Sequence, residues 1–329
     1  MTTPLYSLSI SAQITLDMHS LNNEGGEGNQ IQTRMVNIID QQGQLQNVNA
    51  ISGDMFKHIQ AEHLFHIAQE SANLPLCAGC RAFNANRINA DSEFIARTKG
   101  MSDAATTDEL LRACAIDDIE GVLITEGNRS IPRKSVIEFS WVVGVPGAVE
   151  TDSYFHVKYA QERGQEQRAE DREATQSSGS NLGQAIFHRP ASSGVYAAVC
   201  HLEVARIGFN DIAQKYAIDE EQRALRTRAL LESVLYTYLQ PKGAMRSTQA
   251  PHLVDFSGVV STSSSPVPAP TVSPLKKDTY HDQISNIKNV LEQIAPGAVE
   301  VNLFRSLSEF AEIIADIIQT KTPYTLRYQ

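Results

Sequence analysis

Between two strands of alternating pattern the chain breaks into a polar stretch from Gln161 to Gly183, reading QERGQEQRAEDREATQSSGSNLG. Before it, SYFHVKYA sets Phe155, Val157 and Tyr159 against Tyr154, His156 and Lys158. After it, QAIFHR leads into SSGVYAAVCHLEVARI, where Val195, Ala197 and Val199 share a face. A side-chain period of two marks both flanks as strands. A hairpin turns in roughly two to five residues, so an excursion of this length is either a disordered loop or an arm reaching for a ligand. On the return leg no acid occurs from Asn181 to Leu202, and Gln184, Ile186 and Phe187 run into His188 and Arg189. An apolar wedge beside positive charge suits a stacked, phosphate-bearing ligand. The plainer reading is a surface loop between core strands.

Composition limits the partners. The 329 residues are 42% hydrophobic, enough for a substantial core, and the formal charge of -10 excludes a surface that is basic throughout. Basic residues are instead gathered in acid-free windows: Gly28 to Ile39 with Arg34, Gly127 to Ile137 with Arg129, Arg133 and Lys134, Asn181 to Leu202, and Gln240 to Val254 with Lys242 and Arg246. Brought together, these windows form one basic groove on an acidic protein. No run of roughly eighteen apolar residues occurs and MTTPLYSLSI lacks the pattern of a signal peptide, so no membrane association and a cytoplasmic location are expected.

In chain order, residues 5 to 19 alternate as a long strand with one buried face. ISGD then opens a helix from about Asp54 to Ala72. Ser52 and Gly53 stand before its N-terminus, where free N–H groups favour an anion, with Lys57 and His58 one turn in. The alternative is a capping serine followed by solvated polar residues. From Pro75 to Ala115 the period dissolves into an inserted subdomain carrying Cys77 and Cys80 as C-x-x-C, and Cys114. These three are candidate ligands for a structural zinc, with His63 or His66 as the fourth; otherwise they are reduced, buried thiols. Strands are expected at IEGVLIT and SVIEFSWVV, joined by the basic turn EGNRSIPRKS. Asp117 and Asp118, taken as strand neighbours, would point to opposite faces.

A helix follows at DEEQRALRTRALLESVLYTYLQ, with Arg223, Arg226 and Arg228 expected on its solvated face, then a strand at HLVDFSGVV. Residues 261–275 read as a Ser/Pro linker and 276–329 as a helical C-terminal tail. Without the insertions the order is strand, helix, strand, strand, helix, strand, the α+β ferredoxin-like or RNA-recognition-motif (RRM) arrangement, although the RNP aromatic motifs are absent. No metalloprotease, nucleophile-elbow or Walker motif is present, and His156 lacks a positioned catalytic partner.

Several motifs in this order resemble the DevR-type backbone subunit of type I CRISPR Cascade complexes. They are Ser20-Leu21-Asn22, ISGD with its helix, NRSIPRKS, FHVKY, GQAIF returning into SSGVYAAVCHLEV, and GAMRS. The cysteine-bearing insertion makes the type I-B branch the most similar. The resemblance implies a modified ferredoxin-like/RRM palm (1–73 and 119–260), an inserted finger (74–118) and a thumb hairpin (161–187). It also implies copies of the chain stacked along a guide RNA (crRNA) beside other Cascade subunits. The thumb, with Phe187 as a wedge, kinks the RNA so that the intervening bases pair with a target DNA strand, and the subunit cuts nothing. Asn22 belongs to the family motif, Ser52 and Lys57 match positions that meet the RNA backbone, and Arg129, Arg133, Lys134, Lys242 and Arg246 are expected at phosphates. The rivals are a ferredoxin-like CRISPR repeat-processing endoribonuclease using His156 or His188, and a zinc-stabilised interaction module.

Overall fold

The period-two pattern of residues 7–19 becomes a strand in which Leu8, Ile10, Ala12, Ile14 and Leu16 are fully buried, and Ser7, Ser9 and Ser11 are buried on the opposite face. The expectation of one buried face is therefore corrected: both sides of this strand are covered. The computed structural model describes residues 2–27, 30–159, 184–243 and 249–327. Its principal elements are β1 (Ser7–His19), β2 (Met35–Ile39), β3 (Leu45–Ile51), α1 (Gly53–Glu70), α2 (Ala78–Arg81), α3 (Asp103–Ala113), α4 (Ala115–Glu120), β4 (Val142–Tyr159), β5 (Gln184–Leu202), α5 (Glu220–Leu239), β6 (His252–Ser263), α6 (Tyr280–Ile294), β7 (Val299–Phe304) and α7 (Leu307–Thr320).

The main sheet runs β7-β6-β1-β5-β4-β3-β2, with antiparallel neighbours throughout that path. Its four central strands stand in the spatial order fourth, first, third, second of the β1-α1-β4-β5-α5-β6 sequence. Helices α1 and α5 pack together and contribute Phe56, Leu64, Leu230, Val234 and Tyr238 to one core with Ile10, Ile14, Phe256 and Val260. Tyr238 stacks on Phe256 at 4.6 Å, and Phe310 of α7 meets both rings edge-on.

The Ser/Pro stretch does not hang free. Ser9 Oγ donates to the Ala269 carbonyl (3.1 Å) and Gln13 Nε2 to that of Pro274 (3.2 Å), placing residues 264–279 over the serine face of β1. The tail is likewise integral: β7 extends the sheet, α7 enters the core, and Lys321–Pro323 pairs with Thr3–Leu5. The strand expected at IEGVLIT is present but confined to Val122–Ile124, which pairs with Ile131–Arg133 as a small hairpin outside the main sheet, while Ile119 and Glu120 end α4.

The arginines of α5 also depart from expectation. Arg223 and Arg226 are buried rather than solvated. Arg223 lies 3.8 Å over the Tyr216 ring. Arg226 Nη1 donates to Asp118 Oδ2 at 2.7 Å, while Arg133 Nη2 donates to Asp118 Oδ1 at 2.6 Å and the Gly208 amide to Oδ2 at 2.9 Å. Removing one member of a buried ion network leaves the others charged and unpaired. Asp118→Ala is expected to destabilise the chain by about 3–5 kcal/mol, measured by urea unfolding; a loss below about 1 kcal/mol, the scale of a surface pair, would contradict this account.

Candidate nucleic-acid interface

The segment Ser20-Leu21-Asn22 leaves β1 and becomes a junction. Asn22 is buried and its Oδ1 accepts from the Ser52 amide at 2.9 Å, while Ser52 Oγ caps α1 by accepting from the Met55 amide at 3.1 Å. Gly53 follows because a Cβ there would lie 2.5 Å from the Phe139 carbonyl oxygen. Ser20 Oγ and Gln249 Nε2 both donate to the Pro190 carbonyl, at 3.0 and 3.1 Å. Gly243 lies so close to Leu21 that a Cβ would meet its side chain at 2.4 Å. Four motifs far apart in sequence thus converge: the exit of β1, the start of α1, the base of the β4–β5 hairpin and the segment after α5.

Beneath the junction, His19 Nε2 and Tyr196 Oη are 2.8 Å apart, Tyr196 Oη donates to Asn49 Oδ1 at 2.8 Å, and Asn49 Nδ2 donates to Thr33 Oγ1 and the Arg34 carbonyl at 3.0 and 3.1 Å. The guanidinium of Arg34 sits 5.1 Å over the Trp141 ring.

From this base β4 and β5 run on as an arm. β1 accompanies β5 as far as the His19–Ser192 pair, whereas β4 and β5 stay paired to Tyr159–Gln184. At about 3.4 Å per residue, Asp152 to Tyr159 carries the arm roughly 25 Å past β1. Tyr154 and Phe155 are exposed on its two faces, and Phe155 meets His188 edge-on at 5.6 Å. Arg189 lies half-buried at the arm's base. His156, Lys158, Gln184 and Phe187 lie on the paired strands, but their side chains, the excursion through Gly183 and Arg246 are outside the described residues.

A second feature faces the first turns of α1. A cleft of about 560 Å³ is lined by Lys57, His58, Phe83, Arg87 and Glu120. Lys57 Nζ donates to the Glu120 carbonyl at 3.0 Å, and burial lowers its pKa. His58 is exposed beside Phe83. Burial pushes the Glu120 carboxyl up to about 6.

The expected phosphate contacts at NRSIPRKS are largely committed elsewhere. Arg133 is a correction: it is buried, and its guanidinium N–H groups are spent on Asp118, Asp211 and the carbonyls of Asp118, Phe209 and Arg206. Arg129 donates to the carbonyls of Glu126 and Thr98 at 2.9 and 3.3 Å, bracing its turn. Lys134 is exposed but paired with Glu138 (2.9 Å) and Glu203 (3.5 Å). Lys242 is half-buried just beyond Gln240, whose carbonyl accepts from His63 Nε2 at 3.0 Å.

The three cysteines do converge. Cys77, Cys80 and Cys114 are buried with their Sγ atoms beside a carboxylate oxygen of Asp117, all within 4.8 Å of one another. His63 and His66 are not part of the group; His66 pairs with Glu62 at 3.9 Å. Asp117 was legible as the second half of Cys114-x-x-Asp117, a spacing matching Cys77-x-x-Cys80. Reading residues 117 and 118 as strand hid it, since both lie on helix α4.

Residues 10–285 match the family described as CRISPR-associated negative auto-regulator DevR/Csa2, and the chain belongs to that family. A relative from Methanocaldococcus jannaschii, described as CRISPR-associated protein Cas7/Cst2/DevR, is 24% identical over 330 residues, covering 95% of this chain and 99% of its own. The fold is similar to that of a chain in a solved CRISPR RNA-guided surveillance complex, pre-nicking, with a TM-score of 0.51 at 10% identity, covering 95% of this chain and 99% of that one. Among the described residues no helix is long and apolar enough to cross a membrane.

The network beneath the junction makes stability depend on pH. Burial holds the His19 imidazole at about 4, below its usual 6.5. The unfolded chain therefore takes up a proton that the folded chain refuses, so stability is complete above about pH 6.5 and falls toward pH 4, by about 3 kcal/mol from this group. Urea unfolding of the wild type and His19→Gln across that range should give converging stabilities as the pH falls; parallel curves would exclude His19 as the cause.

Proposed function

We propose that this chain is the crRNA-binding backbone subunit of a type I CRISPR Cascade effector, holding guide RNA by its backbone and leaving bases free to pair with a target DNA strand. The observation that carries this reading is membership of the DevR/Csa2 family across residues 10–285, supported by the fold shared with a chain of an RNA-guided surveillance complex. In this reading the ferredoxin-like palm comprises 1–73 and 119–260, a division supported by the fourth-first-third-second strand order. The finger is 74–118, and the arm bearing 161–187 is the thumb.

The proposed chemistry is positional, and the subunit is non-catalytic. A guide is arbitrary in sequence, so affinity has to come from phosphates, sugars and stacking rather than from base edges. The exposed Tyr154 and Phe155, with His188 beside Phe155, supply stacking surfaces on the arm. Asn22, Ser52 and Gly53 shape the floor at its base, and the cleft beside α1 offers Lys57 and His58 to phosphate. Arg34, Arg189, Lys242 and Arg246 are assigned to the same RNA path, with the arm residues His156, Lys158, Gln184 and Phe187. Copies of the chain and other Cascade subunits are its proposed partners along the guide.

Native mass spectrometry of the full chain co-expressed with a CRISPR transcript and its partner subunits is expected to show several copies on one intact guide. An RNA-free monomer, or a guide cleaved by this chain, would overturn the reading. Lys57→Ala is expected to weaken RNA binding equally for unrelated sequences and to reduce the slope of log K against log salt by about 0.7. A sequence-selective loss would exclude the backbone role.

A further inference from the structure

The cysteine group is built from two ligand pairs of one local design. Cys77 stands before α2 and its Sγ accepts from the Cys80 amide at 3.3 Å; Cys114 stands before α4 and its Sγ accepts from the Asp117 amide at 3.5 Å. In each pair the second side chain lies one turn along and returns beside the first. The Ala115 amide donates to the Pro75 carbonyl at 2.8 Å, clamping the two segments together.

The two S···O edges to Asp117 have the length found in a coordination shell. Asp117 Oδ2 lies 3.3 Å from Cys77 Sγ and 3.5 Å from Cys80 Sγ. Tetrahedral zinc, with Zn–S of about 2.3 Å and Zn–O of about 2.0–2.2 Å, places S···O edges at about 3.5 Å and S···S edges at about 3.8 Å. Asp117 Oδ1 is buried and has no hydrogen-bond partner among the described residues. Three thiols and a carboxyl packed out of water repel one another once ionised, and a divalent cation reverses that balance by supplying the missing charge.

We propose that Cys77, Cys80, Cys114 and Asp117 hold a structural Zn²⁺ in a closed Cys₃Asp site. Three sulfur donors favour zinc over magnesium or calcium, and a buried four-ligand shell without an open position is a structural rather than a catalytic arrangement. The ion joins α2 to α4. Because α4 also carries Asp118, the same short helix fastens the inserted subdomain to Arg133 and Arg226.

The test uses the full-length chain purified from zinc-replete cells without chelator. Elemental analysis is expected to find about one zinc per chain, the stoichiometry of a closed four-ligand site. Exchange into cobalt is expected to give the intense visible bands of a tetrahedral thiolate complex. Cys114→Ser should lose the metal, and Asp117→His, which supplies a strong zinc ligand, should keep it. Cys200→Ser should also keep it, since that thiol lies on β5 outside the group. A wild-type chain that carries no zinc and gives no tetrahedral cobalt spectrum would overturn the proposal, as would full zinc occupancy in Cys114→Ser. An unchanged cobalt spectrum in Asp117→Ala would remove Asp117 from the site.

Discussion

The carboxylate of Asp118 is the point on which the rest of this structure closes. It is fully buried, so ionisation there is costly unless every lone pair is answered. The answer comes from three places in sequence: Arg133 in the second strand of the small hairpin, Arg226 in the middle of α5, and the Gly208 amide at the end of β5's trailing loop. Both arginines also donate to carbonyls of further segments, Arg226 Nη1 to Leu111 on α3 and Arg133 Nη1 to Phe209, while Arg226 Nε and Nη2 are buried without a hydrogen-bond partner among the described residues. A network of this kind contributes little net stability over an apolar core, but it admits few alternative arrangements. It therefore sets how α3 and α4 sit against α5.

The same short helix, AIDDIE, explains why adjacent acids have unrelated partners. On a helix, neighbouring residues point about a hundred degrees apart, which sends Asp117 to the cysteines and Asp118 to the arginines. On a strand they would have faced opposite sides of a sheet, and neither group would have formed. The cleft beside α1 depends on this placement too, because Glu120 at the end of α4 supplies both the carbonyl that holds Lys57 and a carboxyl kept out of water.

The period-two strands, the capped helix after ISGD and the strand-helix order were legible because each is written in local pattern. The serine face of β1 was not: alternation reports which residues are polar, and Ser9 and Ser11 are polar yet buried beneath a segment more than two hundred residues away. For the same reason the Ser/Pro stretch looked like a linker, although its carbonyls accept from Ser9 and Gln13. The arginines misled in the opposite sense. Arg133 and Arg226 read as solvated or phosphate-binding, since a sequence shows charge without showing the buried acid that absorbs it. Within the candidate interface, the convergence of residues 20–22, 51–54 and Gly243 was visible only as a shared family pattern. Contact supplies its reason: the Asn22–Ser52 bond and the close approach of Gly243 to Leu21.

Three irregularities coincide where the arm leaves the sheet. β4 shifts register between Gly144 and Val149, β5 shifts against β1 between Ser192 and Gly194, and Met18 adopts a positive φ of 55° with its amide donating to Ser193 Oγ. Bulges of this kind bend a strand and increase its twist, so they re-aim whatever lies beyond them. Gly194 is the fixed point. Its φ of 145° and the Ala148 carbonyl oxygen 2.2 Å from where a Cβ would stand leave no room for another residue. Past Ser192, β5 has lost β1 as a neighbour, and Tyr154 and Phe155 are exposed. Beyond these bulges the hairpin runs on while its base stays anchored through Pro190 to Ser20 and Gln249.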